Sequence, residues 1–375
     1  MLNNDEHQLL ARIRAFAQDQ VAPAAAAWGQ GQAPTDSIQA AAAELGMAQL
    51  RVPVAHGGLG HSFALQAAAC EVLAGADFGF AMSWINSHNV ALKIAQSDNT
   101  DLQSEVLPDL LAGRVGACTA LTEPASGSDF GGITTCATLS DQGDWVLNGE
   151  KTWIINARWA RWCIVYAQTG ECGDRHGIAA FVVDLHAPGV RPYALDSAAA
   201  QTSMGTGGFH LQAVRVPAHR VLIAPGLAFK SILNELNAAR TYVAAMAVGM
   251  LEAAWQCTNA TGHQRHSFGQ PLRNHQAWRF ALARASVALA GARALVQQAI
   301  DAVERQQDAA LLSAQAKVLA TDVCREQVAA LMHLMGAEGL RPQHPFVRHL
   351  AAAQIASLTD GADEMLLERI AQLTR

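Results

Sequence analysis

The chain has little charge and lacks the motifs that mark the common nucleotide and metal sites. Only 15% of its 375 residues are Asp, Glu, Lys or Arg, and the net charge is -6. No basic stripe runs along it, which argues against a nucleic-acid partner. The seven cysteines (Cys70, Cys118, Cys136, Cys163, Cys172, Cys257 and Cys324) are odd in number and scattered, with no C-x-x-C pair and no His spacing of a zinc site. They read as buried thiols of a reducing compartment, and no metal is expected. No apolar run approaches a membrane span. The start, MLNNDEHQLL, lacks the charged-then-apolar pattern of a secretory signal, so a cytoplasmic location is expected. No G-x-G-x-x-G follows a strand, because Gly205-Thr206-Gly207-Gly208 fails at His210, and there is neither a G-x-S-x-G elbow nor a Walker lysine loop. A Rossmann nicotinamide site is therefore not expected.

What the chain does have is apolar mass: 51% hydrophobic residues over a length that suggests two or three domains. Leu9, Ile13 and Phe16 share a helical face after a polar start at Asn3 and Asn4, and Pro23 is expected to close that helix. Alanine-dense stretches, Ser37 to Leu45 and Ser62 to Leu73, flank the breaker run His56-Gly57-Gly58-Leu59-Gly60. The texture changes after Ala112. Thr134–Leu139, Trp145–Leu147, Thr152–Ile155, Trp162–Ala167 and Ile178–Val183 are short and β-branched or aromatic, with Asp141-Gln142-Gly143 and Asn148-Gly149 as turn signals between the first three. They predict a small antiparallel β domain closing near Val214–Val221. From Phe229 the pattern is helical again, with Leu312, Ala316, Leu319, Val323, Ala330 and Leu334 in helical spacing over six turns. The expected fold is mostly α with a central β domain: a helical domain over 1–112, a β-barrel or sandwich over 113–225, and a four-helix bundle over 226–375. No repeat or low-complexity linker interrupts it.

Two polar segments stand at the β domain. Leu121-Thr122-Glu123-Pro124-Ala125-Ser126-Gly127-Ser128-Asp129 offers hydroxyls and approachable amides suited to an anion or polar heterocycle. Asn148-Gly149-Glu150-Lys151-Thr152-Trp153-Ile154-Ile155-Asn156 follows about twenty residues on. Together with Arg265-His266-Ser267-Phe268-Gly269-Gln270-Pro271-Leu272 and Gln276, the chain resembles the acyl-CoA dehydrogenase family over nearly its full length. The resemblance implies FAD. Leu121, Thr122, Gly127 and Ser128 would meet the flavin's polar edge, Trp153 and Ile154 its ring, and Ile155 would stand near N5 where the family usually has Thr or Ser. Arg265, Ser267, Phe268 and Gln276 would reach the adenosine diphosphate across a subunit boundary, which implies a homodimer or homotetramer; Arg suits pyrophosphate because its fork donates two charge-assisted bonds.

The resemblance also implies that Ser128 and Arg240 contact the substrate, an acyl-CoA or a carrier-bound acyl thioester. Asp360 stands where the family usually places a catalytic Glu, and the amide of Ala362 would bind the thioester carbonyl. Ala239 occupies the place where some branches carry their base. His333 replaces a usual Gln beside Gly336-Ala337-Glu338-Gly339, and Ala362 and Glu364 stand where Thr and Gln commonly touch the cofactor phosphates. The implied reaction is α,β-desaturation, with the α proton going to Asp360 and the electrons to an electron-transfer flavoprotein. The shorter carboxylate stem suggests a branched or cyclic acyl group. The absence of a hydroxyl at Ile155 leaves a second expectation open, an oxidase or oxygenase of the same fold that uses O2.

Overall fold

A computed structural model describes residues 2–171, 174–195 and 201–375, so Cys172 lies outside the described residues. The amino-terminal helices are α1 (Asn4–Phe16), α2 (Ala22–Trp28), α3 (Asp36–Glu44), α4 (Phe63–Ala76), α5 (Phe78–Ala95) and α6 (Thr100–Leu111). Asn3 and Glu6 exchange side-chain and backbone bonds in a capping box that starts α1. The expectation that Pro23 closes the first helix is corrected. A π-helical turn, Ala17–Val21, carries α1 directly into α2, and Pro23 sits in the first turn of α2, where a missing N–H costs little.

The β domain comprises β1 (Gly116–Ala120), β2 (Cys136–Leu139), β3 (Trp145–Ile154), β4 (Ala160–Gln168), β5 (Ile178–Asp184), β6 (Val190–Ala194), β7 (Gly207–Val216) and β8 (Val221–Ile223). These form one sheet in the order β6-β7-β3-β2-β4-β5-β8, with β1 beside β4. The pairings are antiparallel except that β1 runs parallel to β4 and β2 touches β4 through one parallel pair, so the domain is not wholly antiparallel. Asn148-Gly149 is not a hairpin turn. It is an irregularity inside the continuous strand β3, where Asn148 Oδ1 accepts from the Ala213 N–H on β7 at 2.8 Å. Gly149 has φ +147°, and a Cβ there would lie 2.7 Å from Thr135 Cα. Close strand approach, not a turn, requires the glycine.

After β8 the chain forms α7 (Ala228–Gln264), a short hairpin of β9 (His266–Ser267) and β10 (Gln270–Pro271), then α8 (Gln276–Glu304), α9 (Ala310–Met335), α10 (Phe346–Leu358) and α11 (Asp363–Leu373). On α9 the buried stripe is Ala316, Ala320, Cys324, Val328, Leu331 and Met335, while Leu319 and Ala330 face outward. The predicted helix is present, and of the six residues read as its apolar stripe Ala316 is buried and Leu312, Val323 and Leu334 pack half-buried against the core, so that only Leu319 and Ala330 are corrected. Helices α4 and α7 approach closely, since a Cβ on Gly249 would lie 1.9 Å from the Glu71 carbonyl oxygen. The two helical regions therefore share one core, a second core joins α5 and α6 to the sheet and the start of α7, and a third fills the β domain. Cys70, Cys118, Cys163 and Cys324 are buried, but Cys136 is exposed and Cys257 half-buried, which corrects the reading of uniformly buried thiols.

Candidate active site

The two polar segments of the β domain are tied by a buried ion pair. Lys151, on β3, places its Nζ 2.8 Å from Glu123 Oε1 and 3.0 Å from the Leu121 carbonyl oxygen. Glu123 also accepts from the N–H and hydroxyl of Thr134, both at 2.7 Å, and from the Thr135 N–H at 2.9 Å. Burial alone would raise the Glu123 carboxyl. The Lys151 charge and these donors outweigh it and bring the group down to about 2. The ammonium has fewer partners, so burial dominates there and lowers Lys151 to about 8. Thr152 N–H donates to the Thr122 carbonyl at 3.1 Å, which completes the registry of the two segments.

At the end of β3 the backbone is strained. Trp153 has φ +58° and Asn156 φ +67°, conformations that non-glycine residues rarely adopt. Asn156 is overdetermined: its amide donates to Ser83 O, Ser87 Oγ and Ala117 O, and its Oδ1 accepts from Ser83 Oγ and Trp159 Nε1. This locks the β domain to α5 and turns Trp153 outward, with 61% of its surface exposed. Ile154 points into the β core, leaving only its backbone to face a ligand, and Ile155 packs against the helical core. Gly127 and Ser128 are exposed on the loop, and a Cβ on Gly127 would meet nothing closer than Thr122 Cγ2 at 4.0 Å.

A second group gathers at the far end of α7. Arg265 Nη1 donates to the Met335 carbonyl at 3.0 Å, beside Gly336 (φ +64°), so residues seventy apart in sequence meet. Phe268 and Gly269 form the tip of the β9–β10 hairpin with φ of +51° and +77°, as a two-residue turn requires, and Phe268 is 95% exposed. Ser267 is half-buried; Gln276 and His333 are exposed. Arg240 and Arg265 both belong to the course of α7, and twenty-five residues of helix put them about 37 Å apart. One chain does not bring the Arg265 group to the Asp360 group.

Asp360 stands in the turn between α10 and α11, at φ +55°, followed by Gly361 at φ +104°. Arg240 Nε donates to the Asp360 carbonyl oxygen at 3.3 Å and its Nη1 to Asn237 Oδ1 at 3.3 Å. Asp360 Oδ2 is buried with no hydrogen-bond partner among the described residues. Burial raises its carboxyl above the ordinary value, against the opposing pull of Lys317 and Arg240. Arg240 itself is brought down to about 10 by burial and by the nearby Arg369. The phenol of Tyr242, on the same helix, is pushed well up by burial and by the Asp360 charge, and receives the Asn89 amide at 3.3 Å. Ala362 caps α11, while Glu364 is exposed on its first turn.

Sequence reasoning missed Lys317, which has no exposed surface and donates to the Gly361 carbonyl. It also missed the roles of Glu123 and Lys151 as the tie between the two segments. The signal for Lys317 is its place on the apolar stripe beside Ala316 and Ala320. Among the described residues no cluster of His, Cys, Asp or Glu could hold a metal, and no helix is long and apolar enough to cross a membrane. The site suits a flavin instead: exposed aromatic rings on strained backbone, an open glycine-containing polar loop, and an arginine fork with free donors.

Family models match in chain order: the acyl-CoA dehydrogenase N-terminal domain over residues 3–114, the middle domain over 118–214 and the C-terminal domain over 229–373. The chain is similar to the mitochondrial short-chain specific acyl-CoA dehydrogenase of Homo sapiens, 30% identical over 370 residues, covering 96% of this chain and 88% of the relative. It is also similar to a probable acyl-CoA dehydrogenase of Bacillus subtilis, 30% identical over 370 residues, covering 97% and 96%. The butyryl-CoA dehydrogenase structure from Megasphaera elsdenii superposes with a TM-score of 0.94 at 29% identity, covering 100% and 99%. A glutaryl-CoA dehydrogenase from Mycobacterium smegmatis in complex with FADH2 gives 0.92 at 26%, covering 100% and 95%. Asp360 and the flavin-suited segments thus lie on the fold of a known enzyme class, and the chain belongs to the acyl-CoA dehydrogenase family of FAD-dependent oxidoreductases acting on CH–CH groups.

Proposed function

We propose that this protein desaturates a short acyl-CoA thioester at its α,β bond, with Asp360 as the base that removes the α proton. The observation that carries this reading is the buried, unpartnered Asp360 Oδ2. A carboxylate oxygen without a donor is a free proton acceptor, and a raised proton affinity suits it to a weakly acidic carbon. The Ala362 N–H, at the cap of α11, is the donor for the thioester carbonyl, where charge develops as the proton leaves. Arg240 holds the turn from below, and Ser128 meets the substrate from the β domain.

FAD, when bound, supplies the acceptor for the β hydride. Leu121, Thr122, Gly127, Ser128, Trp153 and the backbone of Ile154 and Ile155 form its cradle in one subunit. Arg265, Ser267, Phe268, Gln276, His333 and Gly336 of a second copy bind its diphosphate half, a reading that the exposure of Phe268 on a single chain supports. Glu364, exposed and acidic, sits at the edge of this cradle.

A short acyl group is supported by the similarity to short-chain and butyryl-CoA enzymes. The test is anaerobic mixing of FAD-loaded protein with straight, branched and cyclic acyl-CoA thioesters while the oxidised flavin absorbance is followed, and then admission of air. Bleaching by short thioesters that persists in air is expected. No bleaching by any thioester contradicts the reading. Bleaching that recovers rapidly with oxygen uptake assigns an oxidase, the electron acceptor then being O2 in place of an electron-transfer flavoprotein.

A further inference from the structure

We propose that Lys317 and Asp363 are positioning residues that fix the Asp360 carboxylate from beneath, as a buried clamp across the turn on which it stands. The inference rests on Asp360 being the base. Lys317 projects from α9 and spends all three of its donors: on the Ser357 carbonyl at 3.2 Å, the Gly361 carbonyl at 2.5 Å and Asp363 Oδ1 at 3.3 Å. Those acceptors belong to the end of α10, the turn itself and the start of α11. One ammonium therefore ties both flanks of the turn to its apex.

Asp363 is aimed in its turn. Its second oxygen accepts from Thr321 Oγ1 at 2.9 Å and lies 3.7 Å from the Arg325 guanidinium. Arg240, from α7, holds the carbonyl of Asp360 as well. With the carbonyls of residues 360 and 361 both captured, the successive positive φ values of +55° and +104° are held in place, and such strain persists only where the surroundings overdetermine it. On the turn held in this way, Asp360 Oδ2 is buried without a hydrogen-bond partner among the described residues.

A buried pair is not by itself a source of net stability. Both partners are buried, and apolar replacements of a buried pair are often neutral or stabilising. Burial indeed moves Lys317 and Asp363 toward their neutral forms. What the pair supplies is geometry together with charge balance at the base. The charged and titratable groups around the turn are Lys317 and Arg325 from α9, Arg240 and Tyr242 from α7, and Asp363 and Arg369 from α11. An ionised Asp363 offsets Lys317. Without it the base feels an uncompensated cation, holds its proton less tightly, and is less well aimed.

The test compares FAD-loaded parent, Asp363→Asn, Thr321→Val and Asp360→Asn by the rate of flavin bleaching with butyryl-CoA from pH 5 to 9, alongside flavin content and thioester Kd. Asp363→Asn is expected to keep flavin and thioester binding, to bleach about tenfold more slowly, and to shift the acid limb of the rate profile to lower pH. A merely structural role would not move that limb. Parent-like rate and profile in Asp363→Asn, with Asp360→Asn inactive, would overturn the clamp and leave the base in place. Parent-like bleaching by Asp360→Asn would instead overturn the base on which the clamp rests. Should Asp363→Asn fail to fold, Thr321→Val and Thr321→Ser decide: Thr321→Val keeps every charge and is expected to bleach severalfold more slowly at parent-like flavin content, thioester Kd and melting temperature, with Thr321→Ser, which keeps the hydroxyl bonded to Asp363, restoring the parent rate, whereas an unchanged rate in Thr321→Val, or a loss that Thr321→Ser does not restore, contradicts the proposal.

Discussion

Lys151 Nζ and Glu123 Oε1 lie 2.8 Å apart, both buried, and this pair joins the two polar segments proposed to cradle the flavin. Removing one partner leaves a buried charge without compensation. Lys151→Met is expected to cost about 3–5 kcal/mol of unfolding free energy and to release FAD. The double variant Glu123→Gln/Lys151→Met should recover much of that loss. Urea denaturation with flavin content of the purified proteins measures both, and a double variant no better than the single one would contradict the assignment.

Acid lability follows from buried groups with lowered proton affinity. His88 and His349 are buried neutral, brought from 6.5 down to about 4 and about 3, in each case by burial foremost. The unfolded chain takes up these protons first, so stability is lost as pH falls from 6.5 toward those values. His88 contributes on the order of 3 kcal/mol to that slope. Glu123 adds a second loss: its stabilisation is complete above 4.5 and disappears as pH falls toward 2. Thermal melts from pH 8 to 4 should show the histidine-linked decline, flatter in His88→Gln.

Asp360 has the opposite sign. Its folded-state proton affinity is raised, so the stability it contributes is complete below 3.8 and is lost as pH rises through the folded value. At neutral pH its ionised form is a cost to the fold. Asp360→Asn is expected to raise Tm by roughly 1–3 °C at pH 7, with no gain at pH 3.5. Equal melting temperatures at pH 7 would show that Asp360 is not under that strain.

Phe268 is 95% exposed, its one ring contact among the described residues being edge-on to His275, so Phe268→Ser should leave monomer stability within about 0.5 kcal/mol. Its effect should fall on assembly and flavin affinity. Sedimentation velocity and FAD titration are the measurements. A loss of folding stability with assembly intact would place Phe268 in the fold of its own chain.

The legible parts of this protein were those in which local chemistry and fold agree. Asn3 announces its helix through Glu6, and the β-branched runs announce strands. Asn148-Gly149 misled because the same dipeptide that makes a hairpin tip also fits a strand irregularity, and only Thr135, packed against Gly149, distinguishes them. On α9, alanines tolerate either environment, so Ala316 and Ala330 look alike in sequence although one is buried and one exposed. The pairing of Glu123 with Lys151 and of Lys317 with Asp363 was not legible, because nothing local reveals a partner 28 or 46 residues away. Asp360 was legible by position, but its unpartnered oxygen and the arginine beneath it are tertiary facts.

The most direct test of the central claim is α-hydrogen exchange. FAD-loaded parent and Asp360→Asn are incubated anaerobically in D2O with butyryl-CoA, and deuterium at the α carbon is followed by NMR. Incorporation by the parent and none by Asp360→Asn is predicted. Incorporation by Asp360→Asn at the parent rate would mean that another group takes the proton.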